Sequence, residues 1–157
     1  MHGNADFLEQ QKKGKEMEQI FSLSSVLVLP FWMLMIAMPT WSWTKRIMAS
    51  SVFIIPIALL YSSLVLPNIT MLLPLLASPQ LDNIMSLLSS QSGATTAWIH
   101  FLVFDLWTGR WVYQDSQNVG IPWWVTSFCL VCVFMVGPFG LLLYTVIRRW
   151  RHGSFSL

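Results

Sequence analysis

The sequence contains unusually little charge. Charged residues make up 10% of its 157 residues and hydrophobic residues make up 55%, whereas a typical soluble domain is about 25% charged. A small soluble domain buries only part of the surface of its chain and has no room to hide so much apolar area. The composition therefore excludes a soluble globular domain, a disordered chain and a nucleic-acid-binding protein with a basic surface. It predicts an integral membrane protein.

Cysteine is scarce as well. The two cysteines, Cys129 and Cys132, lie inside an apolar run with the spacing Cys-Leu-Val-Cys. A four-ligand zinc site would need further cysteines or histidines, and none accompany this pair. We interpret both as small apolar side chains packed on a helix, and we predict no metal site.

Four apolar stretches are each long enough to cross a bilayer, which takes about 20 residues in a helix. The sequence thus predicts an all-α fold, an integral membrane bundle of four transmembrane helices. The stretches are residues 20–38, 47–66, 96–113 and 122–147. The predicted domains are a charged N-terminal head (1–19), the four-helix transmembrane domain (20–149) and a short C-terminal tail (150–157).

The connection between the second and third stretches has a pattern of its own. Pro74 and Pro79 interrupt its Leu-rich part, which is too short to cross a bilayer. From residue 81 to residue 88 apolar side chains recur at helical spacing. This predicts a short amphipathic helix in the membrane plane before the third span. The helix is either a lid over a lipid-side pocket or a passive spacer.

The distribution of basic residues predicts the topology. Six Lys and Arg residues lie in the two tails, and three lie after the first span or at the end of the third. Four crossings put both termini on one face, which the positive-inside rule makes the cytoplasmic or stromal face. The first 18 residues resemble neither a secretory signal nor a transit peptide. We therefore expect the chain to begin in its mature form, from a bacterial or organelle-encoded source.

Proline and glycine mark predicted kinks. Pro30, Pro56 and the run Gly-Pro-Phe-Gly at 137–140 lie inside the apolar stretches. Kinks are tolerated in a membrane where neighbouring groups satisfy the freed carbonyls. These kinks either open a groove in the bundle for a long apolar ligand or serve helix packing alone.

The third stretch alone carries ionisable groups. His100, Asp105, Arg110 and Asp115 follow one another at intervals of five residues, and each interval turns about 140° around a helix. An ionised carboxylate at mid-membrane costs about 2.5–3.5 kcal/mol on insertion scales. Asp105 is therefore either a polar clamp between helices or a functional acid or base. His100 is a packing histidine, a general acid or base, or an axial ligand to a chlorophyll or haem metal.

The same stretch carries a family motif. AWIHFLVFDLWTGRWVYQD (97–115) resembles the signature of the abscisic-acid-deficient-four family, the neoxanthin synthase-like membrane proteins of plants, algae and cyanobacteria. The resemblance covers residues 21–149, nearly the whole chain. Three further segments agree in order: VLPFWMLMI (28–36), TKRIMASS (44–51) followed by LLY (59–61), and GPFGLLLY (137–144).

The resemblance implies a role in making neoxanthin from violaxanthin, in which an epoxide becomes an allene and a hydroxyl. This isomerisation requires no redox cofactor, but it needs one base and one acid in a dry, elongated pocket. His100 and Asp105 are the predicted acid and base. Arg110 or Tyr113 is predicted to stabilise the oxyanion.

The resemblance also implies contact with pigment. Trp98, Phe104 and Trp107 are the predicted contacts to a bound carotenoid or chlorophyll. The expected partners are the lipid bilayer, a carotenoid and photosystem subunits, in a cyanobacterial or plastid thylakoid membrane, and no nucleic acid. The alternative function is a non-enzymatic accessory or assembly subunit of a photosystem that holds carotenoid or chlorophyll.

Overall fold

A computed structural model describes residues 2–152, with side chains from Phe7 to Arg151. Between these residues the chain is all-helical and contains no strand, which confirms that the fold is all-α. Residues 153–157 of the predicted tail, and Met1 of the predicted head, lie outside the described residues. The helices are α1 (His2–Ala37), α2 (Ser42–Ala49), α3 (Ile55–Val65), α4 (Ile69–Ala77), α5 (Leu81–Ser89), α6 (Gln91–Val119), α7 (Trp123–Met135) and α8 (Gly137–His152).

The helices form two compact units. Of the described residues, 2–27 and 56–102 form the first unit, and 28–55 and 103–152 form the second. Helices α1 and α6 each contribute their N-terminal part to the first unit and their C-terminal part to the second.

Two helical stretches are long and apolar enough to cross a membrane, Phe7–Ala37 and Val52–Ala77. The first contains the predicted first span, but the helix begins well before it, because α1 runs without a break from the charged head through Pro30. Only two of the four predicted spans are therefore matched by helices of this kind within residues 2–152.

The second apolar stretch lies further along the chain than the sequence predicts. The predicted span 47–66 is interrupted after α2, where Ser50 and Ser51 separate it from a 3-10 turn at Val52–Ile54. The helical path then continues through α3, a second 3-10 turn at Leu66–Asn68 and α4. The prediction that Pro74 breaks the Leu-rich part is wrong, since Pro74 lies inside α4. In apolar surroundings, one lost hydrogen bond costs less than ending the helix and exposing several backbone groups.

The predicted short helix is present as α5, which begins at Leu81 and ends at Ser89. Its apolar residues Leu81, Met85 and Leu88 are exposed. Their position against a membrane surface stays a prediction.

In each unit, α1 and α6 run parallel. In the first unit, the Trp98 indole donates a hydrogen bond to Ser25 Oγ at 2.9 Å, and the side chain of Gln91 lies beside Gly14. In the second unit, the outer edge of the Trp32 indole lies against Gly109, where a Cβ would lie 2.6 Å from the ring. The glycine of the family motif therefore admits a buried tryptophan from the neighbouring helix.

The predicted fourth span is two helices. A single helix over residues 122–147 is wrong, because α7 ends at Met135 and Val136 adopts φ −146°, ψ 79°. Pro138 explains the break, since its ring would clash with the carbonyl four residues earlier if α7 continued. In the first turn of α8 the missing N–H of Pro138 costs nothing.

The two helices fold back on each other as a hairpin, which we call the α7–α8 hairpin. Gly140 lies so close to the backbone of Val133 that a Cβ there would overlap it. In a straight helix, residues seven positions apart would lie about 10.5 Å apart along the axis, so the chain reverses direction at Val136.

Candidate functional site

Asp105 lies in the middle of α6 and meets the tip of the α7–α8 hairpin. Its carboxylate lies against Gly137, so closely that a Cβ at Gly137 would overlap Oδ1. The side chain is half-buried, and no hydrogen bond or ion pair joins it to another of the described residues. Gly137 is the first residue of α8, and the positive end of a helix dipole favours a nearby carboxylate.

Arg110 binds the end of a neighbouring helix. Its Nε donates to the Met48 carbonyl at 2.8 Å and its Nη2 donates to the Ala49 carbonyl at 3.2 Å. Gln114, one turn further along α6, donates to the same Met48 carbonyl at 2.7 Å. These are the last carbonyls of α2, which have no partner inside that helix. A cation at the negative end of the helix dipole stabilises α2.

Tyr113 is also engaged with the main chain. Its buried hydroxyl donates to the Pro39 carbonyl at 2.7 Å, in the turn between α1 and α2. The two residues predicted to stabilise an oxyanion, Arg110 and Tyr113, thus both bind backbone carbonyls. Their contacts fix α2 and the turn before it to α6.

Asp115 belongs to a cluster with two residues of α8. Arg148 Nε lies 2.7 Å from Asp115 Oδ2, and both side chains are 16% exposed. The buried hydroxyl of Tyr144 donates to the same Oδ2 at 2.5 Å. The Trp111 ring packs edge-on against Tyr144, with centroids 5.6 Å apart.

The sequence reasoning missed Tyr144 and Arg148. They are 29 and 33 residues from Asp115 along the chain, so nothing local links them to it. The available signal was their spacing of four residues, which puts both on one face of a helix.

His100 lies in the first unit, where its ring packs against Tyr61 with centroids 5.4 Å apart. It is exposed. Its role as an acid, a base or a metal ligand stays a prediction.

The three predicted pigment contacts are aromatic side chains that are exposed in part. Trp98 is 39% exposed, Phe104 59% and Trp107 48%. In the second unit the Arg110 guanidinium lies 5.3 Å from the centre of the Trp107 ring, a cation–π geometry.

Two open surface grooves of the described residues are lined by other side chains than Trp98, Phe104 and Trp107. One of about 570 Å³ runs along α1 between Glu18 and Val26. The other, of about 590 Å³, lies at the turn between α1 and α2.

Cys129 and Cys132 are free thiols. Within the part of the chain that the structure describes, no three His, Cys, Asp or Glu side chains converge to hold a metal ion.

Comparison with known proteins identifies the family. The chain is 36% identical over 143 residues to the protein ABA DEFICIENT 4, chloroplastic, of Arabidopsis thaliana, and the match covers 87% of this chain and 64% of that protein. The chain thus spans less than two thirds of the length of this relative. No solved structure matches the chain. The ABA DEFICIENT 4-like family model matches residues 19–144, a range that includes α6 with Asp105 and the tip of the α7–α8 hairpin, and the protein belongs to this family.

Proposed function

We propose that this protein is a membrane-embedded carotenoid protein that isomerises a xanthophyll epoxide to an allene, with Asp105 as the proton-accepting group. Family membership supports a carotenoid as the substrate. The bonding of Asp105 supports its role as the proton acceptor. Arg110 and Asp115, the other two charged residues of α6, are bound to carbonyls or to an arginine. Asp105 alone of these three has no such partner among the described residues.

The proposed reaction balances without an oxidant or reductant. A base removes a proton from the polyene carbon next to the epoxide ring, and the electron pair of that C–H bond forms the new double bond of the allene. The epoxide C–O bond breaks, and its oxygen takes up a proton to become a hydroxyl. A carboxylate held away from competing donors is suited to the first step. That His100 donates the proton in the second step stays a prediction from the sequence alone.

A non-enzymatic pigment-holding role is the competing proposal. The exposure of the Phe104 and Trp107 side chains favours it, since aromatic side chains pack well against a polyene whether or not it reacts. The two proposals differ in one observable, because a holding protein returns the pigment unchanged.

The test is conversion of a supplied pigment. Purified protein is reconstituted in liposomes containing violaxanthin, and the pigments are extracted and separated by chromatography over time. We expect neoxanthin to accumulate with the wild-type protein and with Asp82→Asn, a matched carboxyl-to-amide change on the exposed helix α5. Asp105→Asn is expected to fold but to form no product.

Each alternative outcome has a distinct meaning. Pigment that co-purifies with the wild-type protein and is never converted contradicts the isomerase and supports the holding role. Protein that neither binds nor converts any carotenoid contradicts both proposals.

A further inference from the structure

Neither helix of the α7–α8 hairpin is suited to cross a bilayer alone. Helix α7 has 13 residues and rises about 20 Å, less than the roughly 30 Å of a hydrocarbon core. Helix α8 has 16 residues and ends in three arginines, Arg148, Arg149 and Arg151. Arginine in a hydrocarbon interior is costly.

Contacts in the second unit show where each end of the hairpin lies. At the start of α7, the Ser127 hydroxyl donates to the Ile36 carbonyl at 2.8 Å, near the end of α1. Further along α7, Phe134 packs on Trp32, one turn back along α1, with centroids 5.2 Å apart. Helix α7 therefore descends antiparallel to α1.

Helix α8 then returns along α6. Its first residue, Gly137, lies against Asp105, and Arg148 in its last turns pairs with Asp115 near the end of α6. Since these contacts advance along both helices together, α8 is parallel to α6. It ends at the level where α6 ends and α7 begins.

We propose that the α7–α8 hairpin is a re-entrant membrane element. It enters the bilayer at the face where α6 ends, reverses at Val136 inside the hydrocarbon and leaves at the same face. This rests on the proposed membrane location of the protein and is independent of its proposed pigment chemistry. In this arrangement, the contact between Asp105 and Gly137 at the tip of the hairpin lies inside the membrane.

The surface of the hairpin fits a lipid bilayer as its partner. Its exposed side chains are large and apolar, with Phe128 60%, Met135 65% and Leu142 62% exposed. At the end where α8 finishes, the exposed charges of the second unit are basic: Lys45, Arg46, Arg149 and Arg151. We call these four residues the basic rim. The apolar surface of the hairpin is suited to acyl chains, and the basic rim is suited to the anionic head groups above them.

This arrangement changes the topology. Residues 122–147 no longer count as a crossing, so both termini need not share a face. The positive-inside rule then assigns the face carrying this basic rim to the cytoplasm or stroma.

Cysteine accessibility tests the proposal in the full-length chain. Cys129→Ala and Cys132→Ala provide a background without thiols, and single cysteines are placed at Asn118, Trp150 and Met135. Membrane vesicles of both orientations are treated with a membrane-impermeant maleimide, before and after detergent. We expect positions 118 and 150 to react in the same vesicle orientation and to be protected in the other. Position 135 is expected to react only in detergent.

Two results overturn the proposal. Reaction of positions 118 and 150 in opposite orientations means that residues 122–147 cross the membrane once. Reaction of position 135 without detergent means that the hairpin tip lies outside the hydrocarbon. Cysteines at Gln117 and Arg151 form a second pair if either member of the first fails to fold. Flotation of the same vesicles shows separately whether the protein is in the membrane at all, and pigment conversion plays no part in the readout.

Discussion

At the level of single residues, the carboxylate of Asp105 lies against a glycine, Gly137. A Cβ at Gly137 would overlap a side-chain oxygen of Asp105, and a carboxylate can rotate away from it. Gly137→Ala is therefore expected to leave thermal stability almost unchanged while moving the carboxylate. Under the proposed function, its violaxanthin conversion is expected to fall well below the wild-type rate. A variant that converts at the wild-type rate would show that the exact position of this carboxylate does not matter.

Tyr113 distinguishes a structural from a chemical role. Removing its hydroxyl leaves the buried Pro39 carbonyl without its donor. We expect Tyr113→Phe to lower the free energy of unfolding by about 1–3 kcal/mol and to leave conversion per folded molecule unchanged. Thermal unfolding in detergent and the conversion assay measure the two quantities. A stable but inactive Tyr113→Phe protein would restore the oxyanion role predicted from the sequence.

At the level of elements, the packing within the α7–α8 hairpin depends on Gly140. A Cβ at this position would overlap backbone atoms of α7, which cannot rotate aside as a side chain does. Gly140→Ala is expected to destabilise the protein by roughly 1–3 kcal/mol, the usual cost of overpacking. Gly137→Ala, at the same hairpin but against a side chain, is the matched control. Equal thermal midpoints for the two variants would mean that α7 and α8 are not closely packed.

Local sequence signals predicted some elements and missed others for identifiable reasons. Helix α5 followed from apolar spacing, and α6 was anticipated from the apolar residues around Asp105. The hairpin was missed because the length of an apolar run does not record whether the chain reverses within it. The Gly-Pro run at 137–140 gave a local signal for a kink, but a full reversal depends on Gly140 packing against Val133, a contact between helices.

In the candidate site, too, the sequence predicted some features and missed others. The cost of charge in a membrane was sufficient to select the ionisable residues of α6 from the sequence. It could not separate them by role, because their partners come from other helices. Arg110 is bound by carbonyls of α2, and Asp115 by residues of α8. Only the three-dimensional contacts distinguish Asp105, which has no bonded partner among the described residues, from Asp115 on the same helix.

At the level of the whole molecule, the two carboxylates of α6, Asp105 and Asp115, have separate roles. Asp115 holds α8 against α6 through Tyr144 and Arg148. Asp105 carries out the proposed proton transfer. Replacing either carboxylate by an amide changes one atom type and little volume, so the two variants form a matched pair.

The most direct test compares Asp105→Asn with Asp115→Asn in two measurements on the same preparations. These are the thermal unfolding midpoint and violaxanthin conversion per folded molecule. We expect Asp115→Asn to unfold at a lower temperature, because the ion pair between Asp115 and Arg148 is lost, while its folded fraction stays active. We expect Asp105→Asn to keep the wild-type midpoint and to form no neoxanthin. An Asp105→Asn protein that is folded and converts violaxanthin at the wild-type rate would show that Asp105 is not the proton acceptor.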